Sequence, residues 1–330
     1  MESFILPEKL ASQLKYVATY SRYYQTLFEK AGVKLNKDIT LDSFSKIPLR
    51  TPEQLREDVA DNQESLWCKH AGGPFFDALF LPFKLPTLQI RITSSDACNM
   101  LNISRLLFNF LGIKHARVMA DFLGFGVRSP FFGINEPSTM HATLFTLKDV
   151  FNLTVVYNFG LPAEPSASRG LFILKTFKPS WMLIDRDLIP PYENLLKQQN
   201  LTLGKMGVRQ MLVIAELGDK VKPYTSEEKK KFKEAQEVSD VINLLQAAEP
   251  LFLAPECKDG SFHVFEDYYF VEAANPETGK SLPLGEEGNL AVTNLFAEGS
   301  PLIRYLTDLR VKLICEDCYF GKNKLHIKLV

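Results

Sequence analysis

Three groups of residues in this 330-residue chain have types and spacings that can do chemistry. In Arg91-Ile92-Thr93-Ser94-Ser95 a β-type run enters consecutive hydroxyl residues. Small hydroxyl and backbone N–H donors on a turn after a strand can cradle phosphate. The same triplet also serves as an ordinary turn or helix cap. In Glu298-Gly299-Ser300-Pro301-Leu302-Ile303-Arg304-Tyr305-Leu306-Thr307-Asp308-Leu309 an acidic side chain at the end of a strand can accept two hydrogen bonds from ribose hydroxyls. The plainer reading is a turn aspartate near an exposed arginine. The third group is Cys257-x5-His263 with Cys315-x2-Cys318, two pairs of soft ligands on either side of a predicted hairpin. They fit a tetrahedral Cys3His zinc site. Otherwise Cys257 packs in the core and the other two are free thiols.

The elements that position these groups follow from periodicity. From Glu8 to Lys30, Leu10, Leu14, Val17, Tyr20, Tyr24 and Leu27 recur at helical steps, ended by Gly32. Thr51, Pro52 and Gln54 make a capping box with proline in the first turn of a second helix. Residues 101–111 are apolar at helical spacing, stopped by Gly112. Arg117–Ala120, Leu153–Asn158, Trp181–Ile184 and Gln210–Ala215 read as strands, alternating with helices at 140–151, 168–178, 191–199 and 226–236. This alternation predicts an α/β fold of layered sheets flanked by helices. From about Phe262 the pattern changes. His263–Ala274 and Asn289–Leu295 read as paired antiparallel strands, with turn chemistry at Pro276 and Gly279.

Composition narrows the function classes. Lys plus Arg number 38 against 39 Asp plus Glu, so the summed charge gives no reason to expect a nucleic acid or a membrane surface as partner. No apolar run approaches the roughly 20 residues of a spanning helix. Five cysteines without a visible secretory signal are too few for a disulfide framework and point to a reducing, cytoplasmic setting.

The segment Glu256–Asp308 resembles the phenylacetate–CoA ligase branch of the adenylate-forming enzymes. The resemblance lies in Glu256-Cys257-Lys258-Asp259-Gly260-Ser261-Phe262-His263, Pro276-Glu277-Thr278-Gly279, Gly285-Glu286-Glu287-Gly288 and Pro301-Leu302-Ile303-Arg304-Tyr305 with Asp308. Arg22-Tyr23-Tyr24, Ala31-Gly32-Val33 and Ile47-Pro48-Leu49 agree with it, collinear over nearly the whole chain. It implies the large adenylate-forming domain over 1–330, with subdomains near 1–200 and 201–330, and no C-terminal lid. It also implies ATP and Mg2+ as cofactors. Thr93, Ser94 and Ser95 match the start of the phosphate loop, Gly218 and Asp219 a turn beside the adenine, and Asp308 the ribose aspartate. Glu249 matches the magnesium-contacting glutamate, and His141 a histidine near the carboxylate pocket.

The departures from that pattern shape the expectation. The glycine-rich remainder of the phosphate loop does not follow Ser95, and the flanking register predicts a loop between Ser95 and Asp96. Arg304 to Asp308 is one residue shorter than the family spacing. The resemblance implies activation of an aromatic carboxylic acid as an acyl-adenylate, passed to a partner protein in place of direct CoA ligation. In lacking a lid the chain also resembles an activator of phenazine antibiotic biosynthesis, which makes a phenazine carboxylate one candidate acid. Two alternatives stand beside it: a catalytically silent protein that binds an aromatic ligand, and acyl transfer to a protein cysteine such as Cys68 or Cys98.

Overall fold

A computed structural model describes residues 7–33, 40–69, 75–80, 88–112, 118–122, 154–157, 164–216, 222–247 and 249–330. Two compact units share the chain. The first holds Met1–Asn99, Glu249–Phe252 and His263–Val330, and the second Met100–Ala248 and Leu253–Phe262. The chain therefore changes unit near residue 99 and again between 248 and 263, and the expected boundary near 200 is not where it divides.

In the first unit the N-terminal apolar periodicity forms two helices instead of the one predicted. These are α1 (Glu8–Tyr20) and α2 (Arg22–Lys30), burying Leu10, Leu14, Val17, Tyr24 and Leu27. Ser21 makes the break with φ −107° and ψ 118°. Its buried hydroxyl accepts from the Tyr24 N–H to cap α2 and donates toward the Ser65 and Leu66 carbonyls. After α3 (Leu41–Ser45) comes α4 (Pro52–Asp58), opened by the predicted reciprocal box of Thr51 and Gln54. Strands β1 (Phe75–Phe80) and β2 (Leu88–Thr93) pair antiparallel. Helix α5 (Ser94–Phe110) follows β2 directly and carries the chain into the second unit.

The second unit is built on a sheet in the order β4-β3-β5-β6-β7-β8. Its strands are β3 (Val118–Phe122), β4 (Thr154–Tyr157), β5 (Trp181–Asp185), β6 (Gln210–Glu216), β7 (Asp240–Ala247) and β8 (Phe252–Pro255). The first five run parallel. Every side chain of β5 is buried, the continuous apolar pattern of a strand covered on both faces. Its core joins Met182, Ile184, Met211 and Val213 to Leu171 and Leu174 of α6 (Glu164–Phe177), Leu195 and Leu196 of α7 (Ile189–Gln198) and Phe232 of α8 (Ser226–Gln236). The charged run of α8 is a solvated face, with Glu227 and Lys231 paired one turn apart. The helix predicted at 140–151 lies outside the described residues.

A second sheet, in the order β10-β11-β12-β13-β9, completes the antiparallel region expected near the C-terminus. It comprises β9 (Phe262–His263), β10 (Tyr269–Ala274), β11 (Glu287–Asn294), β12 (Tyr305–Cys318) and β13 (Gly321–Leu329). The Asn275–Gly279 turn forms as predicted, with Asn275 Oδ1 accepting from the Glu277 and Thr278 amides and Gly279 at φ 70°. Among the described residues no helix is long and apolar enough to cross a membrane.

Candidate functional site

Two of the sequence groups meet in the first unit, where β2 turns into α5. Thr93 and Asp96 cap the helix reciprocally: Thr93 Oγ1 accepts from the Asp96 N–H at 3.0 Å, and Asp96 Oδ2 accepts from the Thr93 N–H at 2.9 Å. The Asp96 carboxylate also accepts from the Glu298 N–H at 2.7 Å and the Gly299 N–H at 3.1 Å. Ser300 Oγ accepts from the Arg91 N–H at 2.9 Å. Residue 299 must be glycine for this approach, because a Cβ there would run into the Arg91 carbonyl. Burial pushes the Asp96 carboxyl up to about 6, against the three backbone amides that favour its charge. Ser94 is exposed and Ser95 half-buried on the first turn of α5, and no loop separates Ser95 from Asp96. This corrects the expectation of an intervening segment: the strand passes straight into the helix, and the Thr93–Asp96 cap closes the junction.

The second cluster surrounds Glu249. Its Oε1 accepts from Arg56 Nη2 at 2.5 Å and its Oε2 from the Tyr305 hydroxyl at 2.5 Å. Arg56 comes from α4, and its Nε is buried without a hydrogen-bond partner among the described residues. Burial raises the Glu249 carboxyl above its ordinary value, opposed by the Arg56 charge and by hydrogen bonds from Tyr305 and Arg56. Magnesium demands several oxygen ligands in near-ideal octahedral geometry. Here both carboxylate oxygens are taken by a cationic and a phenolic donor, and a second cation would face the guanidinium charge. This arrangement does not fit magnesium at Glu249.

Arg304 and Asp308 fall on opposite sides of the contrast between buried and exposed. The Arg304 side chain is 0% exposed, at φ 51°. It donates from Nε and Nη2 to Glu272, from Nη1 to the Ser45 and Ile47 carbonyls, and from Nη2 to the Gly279 carbonyl. It is thus a structural hub and not the exposed arginine of the plainer sequence reading. Asp308 is exposed on β12, where the pairing with β11 shifts register between Asn289 and Ala291. Its carboxylate is open to a polyol such as ribose. Gly218, Asp219 and His141 lie outside the described residues.

Of the predicted Cys3His set, the fold brings His263 and Cys318 together and turns Cys315 away. Cys315 and Cys318 both sit on β12, and side chains three apart on a strand point to opposite faces. Cys315 is exposed accordingly. Cys318 instead lies 3.5 Å from Nδ1 of His263, and a ring nitrogen of His326 on β13 lies within 4.8 Å of its sulfur. Cys257 is buried at the start of the turn before β9, its N–H donating to the Ser261 carbonyl at 2.7 Å. Burial pushes the Cys68 thiol up to about 12, which makes it a poor nucleophile, whereas Cys98 is exposed.

No protein-family model matches the chain. It is similar to curated phenylacetate–coenzyme A ligases. The ligase of Thermus thermophilus is 24% identical over 332 aligned positions, 98% of this chain and 67% of the relative. That of Escherichia coli is 24% identical over 311 positions, 91% and 64% of the two chains. A stretch of 71 residues is 41% identical to the Aromatoleum evansii ligase, 21% of this chain and 16% of that one. The chain thus spans about two thirds of the length of the relatives it matches over most of its own length. Among solved structures, 2-hydroxyisobutyryl-CoA ligase in an open conformation with 2-HIB-AMP and CoA superposes with a TM-score of 0.78 at 16% identity. The match covers 97% of this chain and 71% of that one. The fold is that of an adenylate-forming ligase, and the relatives support this class of enzyme.

Arg56 and His326 are residues that the sequence reading missed, and Asp96 and Tyr305 are ones it named without these roles. Their partners lie far along the chain, 193 residues apart for Arg56 and Glu249 and 202 for Asp96 and Glu298. Only His326 left a local trace, as a histidine in the alternating run Leu325-His326-Ile327.

Proposed function

We propose that this chain activates an aromatic carboxylic acid with ATP as an acyl-adenylate, and that the adenylate passes to a partner protein. In that reaction a carboxylate oxygen bonds to the α-phosphorus of ATP while pyrophosphate leaves. The observation that carries the reading is the exposed Asp308 on the register-shifted stretch of β12, beside a polypeptide that follows the ligases collinearly. Asp308 would hold the ribose hydroxyls and fix the nucleotide. Ser94 and Ser95, at the N-terminus of the 17-residue α5, would offer hydroxyl and amide donors to phosphate. No step is assigned to magnesium, because Glu249 is closed by Arg56 and Tyr305.

A second reading is favoured by the direct β2–α5 junction and by that closed Glu249 cluster. In it the chain binds an aromatic ligand without turnover. One experiment separates the two: pyrophosphate exchange into ATP across a panel of aromatic acids, including benzoate, phenylacetate and a phenazine carboxylate, run beside calorimetric binding of the same acids. Exchange with any acid supports the first reading. Binding without exchange supports the second, and neither signal rejects both.

A further inference from the structure

We propose that β9 and the β12–β13 hairpin hold a zinc-type cation on Cys318, His263 and His326. The three residues belong to one unit and come together through the sheet register. Cys318 closes the hairpin opposite Gly321, His326 follows five residues later on β13, and the strand carrying His263 lies against β13, with the Val264 N–H donating to the Leu325 carbonyl at 3.0 Å.

The distances suit ligation. Zinc bonds of about 2.3 Å to sulfur and 2.0–2.1 Å to nitrogen place two tetrahedral ligand atoms about 3.6 Å apart. Cys318 Sγ and His263 Nδ1 are 3.5 Å apart. A His326 ring nitrogen lies within 4.8 Å of the same sulfur.

The surroundings are those of a metal ligand set. His326 Nδ1 lies 2.8 Å from the Lys324 carbonyl, which can only accept, so the ring proton sits on Nδ1 and the lone pair on Nε2. The Phe320 N–H points at Cys318 Sγ at 3.4 Å, a contact that stabilises a thiolate. Phe320 stacks on His263 at 4.0 Å, and Phe265 packs edge-on at 5.2 Å, so the rings are walled from water. Both histidines are at most 3% exposed. One thiolate and two neutral imidazoles select a borderline-soft ion over magnesium or calcium, and leave a fourth position for a further donor. On binding, the Cys318 S–H proton goes to solvent.

The test uses the full chain stripped with chelator and titrated with Co2+, then Zn2+. The expected result is one Co2+ per chain, with thiolate-to-cobalt charge transfer and tetrahedral d–d bands that Zn2+ bleaches. Cys318→Ser and His326→Gln each weaken cobalt binding by at least about tenfold, while Cys315→Ser does not. A readout on the unaltered chain guards against misfolded variants: Zn2+ should slow alkylation of Cys318 and leave that of the exposed Cys315 unchanged. Absence of a stoichiometric thiolate band, a smaller loss in either ligand variant, or alkylation of Cys318 indifferent to Zn2+ would each overturn the site.

Discussion

Asp96 and Glu249 are both buried carboxylates of the first unit, held by opposite means. Asp96 is surrounded by neutral backbone donors from its own helix start and from residues 298 and 299. Glu249 is held by a guanidinium and a phenol. Backbone amides cannot leave, so the Asp96 junction is a fixed clasp between β2, α5 and the segment before β12. The Glu249 cluster rests on long side chains whose charges balance only as a pair. Glu249, expected from the resemblance to contact magnesium, is one half of an internal ion pair.

The largest effect should come from breaking that pair. Arg56→Met leaves Glu249 buried without its counter-charge and should cost about 3–5 kcal/mol in urea unfolding. Adding Glu249→Leu should restore most of it, since an apolar pair needs no compensation. A single variant costing under about 1 kcal/mol would mean that water reaches the carboxylate. The clasp should follow: Asp96→Ala leaves three backbone N–H groups, two of them buried, without their acceptor and should cost about 2–3 kcal/mol, at the low end of the penalty for each group. A near-neutral result would show the junction to be held by packing alone.

The sign of the clasp's pH dependence sharpens the comparison. The folded Asp96 carboxyl titrates at about 6 against an ordinary 3.8, so between these values the folded state holds more protons than the unfolded one. Stability from this group is therefore full below about pH 4 and is lost as pH rises to about 6. Relative to Asp96→Asn, the native chain should lose up to about 3 kcal/mol across that window. A native chain that gains on the asparagine variant instead would mean that the amides outweigh burial. The smallest effect on the fold belongs to the exposed carboxylate. Asp308→Ala should leave the unfolding midpoint unchanged while weakening ATP by roughly ten- to hundredfold, as loss of charged hydrogen bonds worth about 1.5–3 kcal/mol requires. Unchanged calorimetric affinity would remove the ribose from Asp308.

What could be read in the sequence was local. The Thr51 box and the span of α8 follow from side chains within four residues of each other, and the parallel strands from runs apolar on both faces. The site was legible only in part. Thr93 to Ser95 and Glu298 to Asp308 were singled out separately, but the residue that joins them, Asp96, reads locally as an ordinary helix start. The zinc pattern failed on parity: Cys-x2-Cys suits a knuckle, whereas on the long β12 it sends the two thiols to opposite faces. Ser21 shows the same limit, since its break in the first helix is fixed by carbonyls 44 and 45 residues away.

The order in which the chain visits its two units sets a timetable for synthesis. Residues 100–248 are contiguous and form the parallel sheet on their own sequence, so they can fold while translation continues. The first 99 residues cannot finish. Tyr24 waits for Ile303 to emerge 279 residues later, Asp96 for Gly299 and Arg56 for Glu249. At about 5–20 residues per second that delay is on the order of ten seconds or longer. During it α1 and α2 lack the contacts that residues 297–303 supply.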